Sequence, residues 1–497
     1  MSDASATAEA HQGHITGFGS RGYRFYVLIA LMLIYTLNFI DRTLITVVAQ
    51  PIINEFGLTD GQFGFLSGPP FALFYAIMGI PIAMWADRSN RVMVIVCCII
   101  IWSVMTALCG VAAGFIWLLI FRVGVAVGEA GCTPPANSIL TDYFPVKSRA
   151  NAIGIYSMGV TLGGVLAQVF GGMIAGIQGE DFGAWLGTIG LGSLFSGIDW
   201  SQVGGWRIAF IVVGAPGVVI ALVLWLTIKE PPRGYTEPPS ARTTEKAGIF
   251  EAFREFGAKK TFWWGSIGAA LVAFVGYGLQ TFQAPFLQRV YDIGVRDAAV
   301  YYGAPLAAIA AGGTFAGGFL SEKLTDRFPA VVAWLPAVGL LIAVPAYISA
   351  FFAPTIEITF GLWLLAAFCH YSYLGAQYSI GTSIVSPRSR ATTIAVLLLL
   401  VSLIGNGIGP LFVGLMSDMF MNHEIASAGL TEAFKTFDPK LCAGMDPTDA
   451  TGGALCDAYG NGLRKSMAAT ACFFLLAAAC FFMAGRHFIK DRWSPVV

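Results

Sequence analysis

Four charged side chains sit inside apolar sequence, where a simple anchor has no use for them. Asp41 and Arg42 lie about two-thirds of the way along an apolar stretch at 25–48, and Arg122 and Glu129 lie in another at 115–139. A charge at the centre of a bilayer costs about 2.5–3.5 kcal/mol even on the lenient insertion scale, so such residues mark function. The chemistry they offer is proton exchange. A conformational change that separates or hydrates a buried acid–arginine pair changes its proton occupancy, and that couples movement to a gradient. Asp41 and Arg42 are adjacent and point roughly a quarter-turn apart on a helix, so they face different partners. Asn38 lies one turn before Arg42 and can satisfy part of its fork. Arg122 and Glu129, seven apart, share a face, and Gly124, Gly128 and Gly131 let another backbone approach it. The simplest arrangement brings the two stretches together with arginines and carboxylates cross-paired. Two readings follow: a proton switch at Asp41 and Glu129, or a static ion-pair network.

The C-terminal half has no mid-membrane acid; Glu357 falls near an outer end. It offers Tyr277, Gln280, Gln283, His370, Tyr371, Tyr373, Gln377 and Tyr378. One charged half and one aromatic half suit a molecule with a polar head and an apolar body. His370 reads equally well as a histidine packed between helices.

The elements that position these residues are membrane spans. The chain is 56% hydrophobic and 12% charged, with a mean hydropathy of +0.71; soluble proteins carry about 25% charged residues. Hydropathy predicts an all-α integral membrane protein with spans at 25–48, 61–84, 92–113, 115–139, 151–176, 206–228, 261–287, 299–321, 331–350, 358–383, 391–416 and 466–486. The glycine-rich stretch 177–205 has room for a short re-entrant or surface helix. Net charge is zero over 29 basic and 29 acidic residues, which argues against a nucleic-acid partner. The five histidines are scattered, and no zinc-ligand cluster, nucleophile elbow or P-loop occurs. No enzyme, metal, cofactor or primary pump is expected. A receptor or scaffold would need no repeated halves. The first 20 residues hold no apolar core and read as a flexible tail rather than a signal peptide.

Basic residues set the orientation. With the N-terminus in the cytoplasm, 20 Lys and Arg fall on the inner side and seven on the outer, and both termini are inside. The expected divisions are 1–20, a bundle at 21–228, a cytoplasmic linker at 229–260, and a bundle at 261–490 carrying an outer loop at 417–464. In that loop Cys442 and Cys456 could pair; the other seven cysteines read as small hydrophobes. The halves echo each other. Gly79 precedes Asp87-Arg88 by eight residues, as Gly318 precedes Asp326-Arg327, and Ser148-Arg149-Ala150 recurs as Ser389-Arg390-Ala391. Offsets of 239 and 241 at equivalent topological points indicate an internal repeat enclosing a central cavity. Asp87, Arg88 and Arg91, and less strongly Asp326 and Arg327, read as an inner gate that latches the halves.

The twelve spans and the loop Asp87-Arg88-Ser89-Asn90-Arg91 resemble the major facilitator superfamily over residues 21–490. The runs Asn38–Arg42 and Arg122–Ala130 and the linker Glu230-Pro-Pro-Arg-Gly234 resemble its Spinster-like branch, in a bacterial member. One departure is Ala83, where the superfamily loop usually has glycine. The resemblance implies a twelve-helix facilitator fold and a monomer in the bacterial inner membrane. Spinster-like proteins carry lysolipids and sphingolipids, so it implies alternating access for such an amphiphile. It assigns a proton-linked switch to Asp41 and Glu129, and charge pairing or headgroup binding to Arg42 and Arg122. The alternative is a proton symporter of a small organic anion such as a sugar acid.

Overall fold

A computed structural model describes residues 16–237, 249–386, 388–435, 437–442 and 449–493. Parts of the expected tail, linker and outer loop (1–15, 238–248, 436 and 443–448) lie outside the described residues.

Among the described residues the fold is all-helical. Twelve stretches are long and apolar enough to cross a membrane: Arg21–Val47, Asp60–Arg88, Arg91–Cys109, Phe115–Tyr143, Val146–Ala175 and Gly205–Thr227, then Lys260–Tyr291, Val295–Thr325, Val331–Phe351, Ile356–Ser383, Thr392–Ser427 and Ala450–Asp491. They are numbered here as spans 1 to 12. Large apolar side chains such as Leu226, Ile80 and Phe315 are 69%, 67% and 77% exposed. In water that would be a liability; against lipid tails it costs nothing. Between spans 5 and 6 the glycine-rich stretch forms a helix, Gly179–Thr188, and Phe182 packs edge-on against Trp200.

The repeat is visible in the packing. Span 3 packs against spans 4 and 6, and the equivalent span 9 packs against spans 10 and 12. Without a hydrophobic drive between helices in lipid, close backbone approach supplies the attraction. Gly128 of span 4 shows it: a methyl group there would sit 2.6 Å from the backbone nitrogen of Trp102 in span 3.

Contacts divide the chain differently from its spans. One unit comprises 1–45 and 73–245; the other comprises 46–72 and 246–497. The end of span 1 and the start of span 2 therefore belong to the second unit, although the chain order puts them in the first bundle. Helical geometry is interrupted beside both crossings, at Val48 and at Gly68, which precedes Pro69-Pro70. Spans 11 and 12 also run into the stretch expected as outer loop, ending at Ser427 and restarting at Ala450, and Cys442 and Cys456 are joined by a disulfide. The apolar stretches at 391–416 and 466–486 mark hydrocarbon thickness; the helices carry on past it.

Candidate functional site

In the first unit, span 1 meets span 4. Arg42 donates through Nε (3.0 Å) to Oε2 of Glu129, which is fully buried, and its Nη2 lies 2.9 Å from the same oxygen as an ion pair. The Arg42 guanidinium also lies over the Tyr75 and Phe39 rings, 4.7 and 5.1 Å from their centroids. Cross-pairing is thus present on one side. On the other, Arg122 Nη1 reaches the backbone oxygen of Asp41 at 3.5 Å. The Asp41 carboxyl is buried beside Trp102 and Thr106, and its Oδ1 has no hydrogen-bond partner among the described residues. Glu129 Oε1 and Asn38 Nδ2 are likewise buried and unpartnered. Buried groups left without any partner cost about 1–3 kcal/mol each.

The motif residues at the other end of this unit form a closed node. Arg91 is 1% exposed; it donates to Glu230 (2.6 Å), Asp142 (2.5 Å), Ser138 (2.8 Å) and the Pro231 oxygen (2.8 Å). Arg233 returns to the Ala86 and Ser89 oxygens, capping the end of span 2, and Gly234 donates to Asp142. Arg91 is therefore committed within its own unit to the Glu-Pro-Pro-Arg-Gly run. Asp87, Arg88, Asp326 and Arg327 are exposed.

In the second unit, the Arg289 guanidinium forks onto both oxygens of Asp60, at 2.7 and 2.6 Å, and its Nε donates to Gln50 at 2.6 Å. It lies 3.8 Å from the Tyr459 ring centroid. Ser417 donates to Asp60, and Asp418 accepts from the backbone nitrogens of Asp60 and Gly61. In the same unit His370 is packed: its Nδ1 lies 3.3 Å from Tyr347 Oη, and its ring contacts Phe474, Tyr371 and Tyr373. Gln377 is buried, Tyr277, Gln280 and Gln283 are half-buried, and Tyr378 is exposed.

Residues 31–410 match the Major Facilitator Superfamily. The chain belongs to that superfamily. The crystal structure of a bacterial homologue of the human lysosomal transporter Spinster, inward-facing and unoccupied, matches with a TM-score of 0.92 at 68% identity. That match covers 96% of this chain and 100% of that one. An MFS-type efflux pump of Mycolicibacterium smegmatis is 29% identical over 80% of this chain and 85% of its own length. Protein spinster of Drosophila melanogaster is 23% identical over 83% of this chain and 66% of its own length. Fold and relatives mark this facilitator as a multi-pass membrane transporter rather than an enzyme.

Within the facilitator fold, sequence reasoning found the charges of spans 1 and 4 and missed Asp60, Arg289 and Asp418. All three lie near span ends, just outside or at the edge of the apolar windows. A signal existed: Thr59 accepts from the Gln62 backbone while the Gln62 side chain accepts from the Thr59 backbone. That capping box starts a helix at Asp60 and places its carboxylate in an ordered first turn.

Proposed function

We propose that this facilitator moves an amphiphile of the lysolipid or sphingolipid kind across a bacterial inner membrane by alternating access, driven by protons exchanged at Asp41 and Glu129. The observation that carries it is the mismatch in the span 1–span 4 cluster. Glu129 holds Arg42 through one oxygen, while the neighbouring Asp41 carboxyl is buried with an unpartnered oxygen. Protonating Glu129 weakens its hold on Arg42, whose side chain keeps 19% exposure and has room to turn. A freed guanidinium can then take an anionic headgroup, with Arg122 beside it. Tyr277, Gln280, Gln283, Tyr371 and Tyr373 are the candidates for the apolar body, and His370 serves as packing.

If alternating access also parts residues 46–72 from the rest of the second unit, the Asp60–Arg289 fork is among the contacts that must open. Kinship with the Spinster homologue supports the substrate class. The Cys442–Cys456 bridge supports cytoplasmic termini, because a disulfide persists on the oxidising side of the membrane. We place Asp87 and Arg88 at an inner gate on their exposure and motif position, with Asp326 and Arg327 as counterparts. The deciding measurement is flux of a fluorescent lysophospholipid in proteoliposomes with and without an imposed pH gradient. Gradient-dependent movement is expected. Saturable uptake of a sugar acid with no lysolipid flux would refute the substrate class, and gradient-independent flux would refute the coupling.

A further inference from the structure

Far from the Asp41 cluster, the beginnings of spans 1 and 5 line an open cavity of about 530 Å³ in the first unit. Arg24 lies 17 residues before Asp41, about 25 Å along a helix. Arg21, Arg24, Phe25 and Leu28 line the cavity from span 1, and Ser148 and Ile155 are among those lining it from span 5. Its volume lies in the range of ligand sites.

Three observations point to an anion with an apolar body. Arg24 is 9% exposed, and its Nη1 is buried with no hydrogen-bond partner among the described residues. Arg21 is its charged neighbour, and none of the residues lining the cavity is a carboxylate. Two arginines of like charge, one of them buried, call for a counter-ion. The second observation is that helices start at Arg21 and at Val146, and Arg21 and Ser148 of their first turns line the cavity, so two helix N-termini place partial positive charge there. The third is the wall. Leu28 is buried and Phe25 is 60% exposed, which gives an apolar path from the arginines toward lipid.

Gly17 explains how the buried guanidinium is accommodated. Its φ is +78°, and a methyl group there would lie 2.4 Å from Arg24 Nη1 and 2.3 Å from the Tyr143 oxygen. Only glycine lets the chain fold over the arginine here.

We propose that this cavity binds the phosphate headgroup of an anionic membrane lipid from the leaflet at that end of the bundle. Arg24 supplies the fixed contact and Arg21 the mobile one, and an acyl chain runs along Phe25, Leu28 and Ile155. The site is independent of the transported substrate: it is a lateral lipid site on the scaffold that carries span 1.

The test uses the full-length protein in nanodiscs of phosphatidylcholine doped with phosphatidylglycerol, with lipid retention read by native mass spectrometry. Wild type is expected to retain one phosphatidylglycerol in preference to phosphatidylcholine. Arg24→Gln should weaken retention about tenfold, the loss expected for one charged hydrogen bond. Arg24→Lys, which keeps the charge, should restore most of it and controls for folding damage; Arg21→Gln should lose less. Wild-type retention in Arg24→Gln, or equal retention of the two lipids by wild type, would overturn the proposal. Displacement of the lipid by an equal concentration of inorganic phosphate would make this a free-oxyanion site and overturn the lipid assignment.

Discussion

Two buried charge clusters in this transporter differ in one respect that governs what each can do. Around Arg289 the valences are filled: both Asp60 oxygens are forked, Gln50 takes the third donor, and Ser417 and Asp418 complete the ring. Around Arg42 they are not: Asp41, Glu129 and Asn38 each keep a buried polar atom without a partner. A filled network has one arrangement and resists change. An unfilled one has several of similar energy and yields to a proton or a headgroup. Under the proposed function the first cluster is the one suited to fix a state and the second the one suited to sense.

Breaking the filled cluster should have the largest effect. Arg289→Gln leaves the Asp60 carboxylate buried without its cation and should cost about 3–5 kcal/mol, read as a large fall in thermal midpoint. An unchanged midpoint would show that the two clusters do not differ. The Arg91 node belongs with the filled type. Arg91→Lys loses the planar fork that serves Glu230 and Asp142 together, and should cost about 1.5–3 kcal/mol, again by thermal melting. A lysine variant as stable as wild type would remove the node from that class.

The unfilled cluster should show the opposite pattern. Asp41→Asn should change stability by less than about 1 kcal/mol, since the amide nitrogen can take the place of Oδ1, which has no partner to lose. Gradient-driven flux in proteoliposomes should nonetheless fall by about tenfold or more, an activation cost near 1.4 kcal/mol. Glu129→Gln should also lose flux, with some loss of stability because Arg42 rests on it. Full gradient-driven flux in both variants would leave a static ion-pair network.

The smallest expected effect sits outside the twelve spans, on the helix Ile249–Gly257. Partial burial pushes the Glu255 carboxyl up, but hydrogen bonds from Ser389 and Ser386 outweigh it and hold it below the usual carboxylate range. A lowered folded value stabilises docking at pH above the ordinary value of 4.5, and that stabilisation is lost as pH falls through the folded value. Solvent screening keeps it to about 0.5 kcal/mol or less. Hydrogen exchange across 249–257 in wild type and Glu255→Gln should differ at neutral pH and converge in acid. A difference that grew in acid would reverse the sign.

How much was legible follows from where each charge lies. Asp41, Arg42, Arg122 and Glu129 stand out because everything around them is apolar, and hydropathy alone finds them. Asp60, Arg289 and Asp418 do not stand out, because the turns carrying them are polar enough to read as loop. Twelve spans and two repeated halves were readable from periodic apolar windows and from the paired Asp-Arg and Ser-Arg-Ala offsets. The assignment of 46–72 to the second unit was not, since chain order carries no record of long-range contacts. His370 shows the converse limit: in sequence a histidine among aromatics reads equally well as packing or as a substrate contact, and only the structure shows that Tyr347 and Phe474 surround it.

The chain's double crossing at residues 46–72 has a consequence for biosynthesis. Asp60 is made 229 residues before the arginine that neutralises it. At about 5–20 residues per second, it waits roughly ten to fifty seconds for span 7 to emerge. The rest of span 2 and spans 3 to 6 are made during that interval, with one acidic turn still owed a partner. The nascent first half is therefore a species that must stay near water or a chaperone at that end, and its maturation is set by the ribosome's progress through the second half.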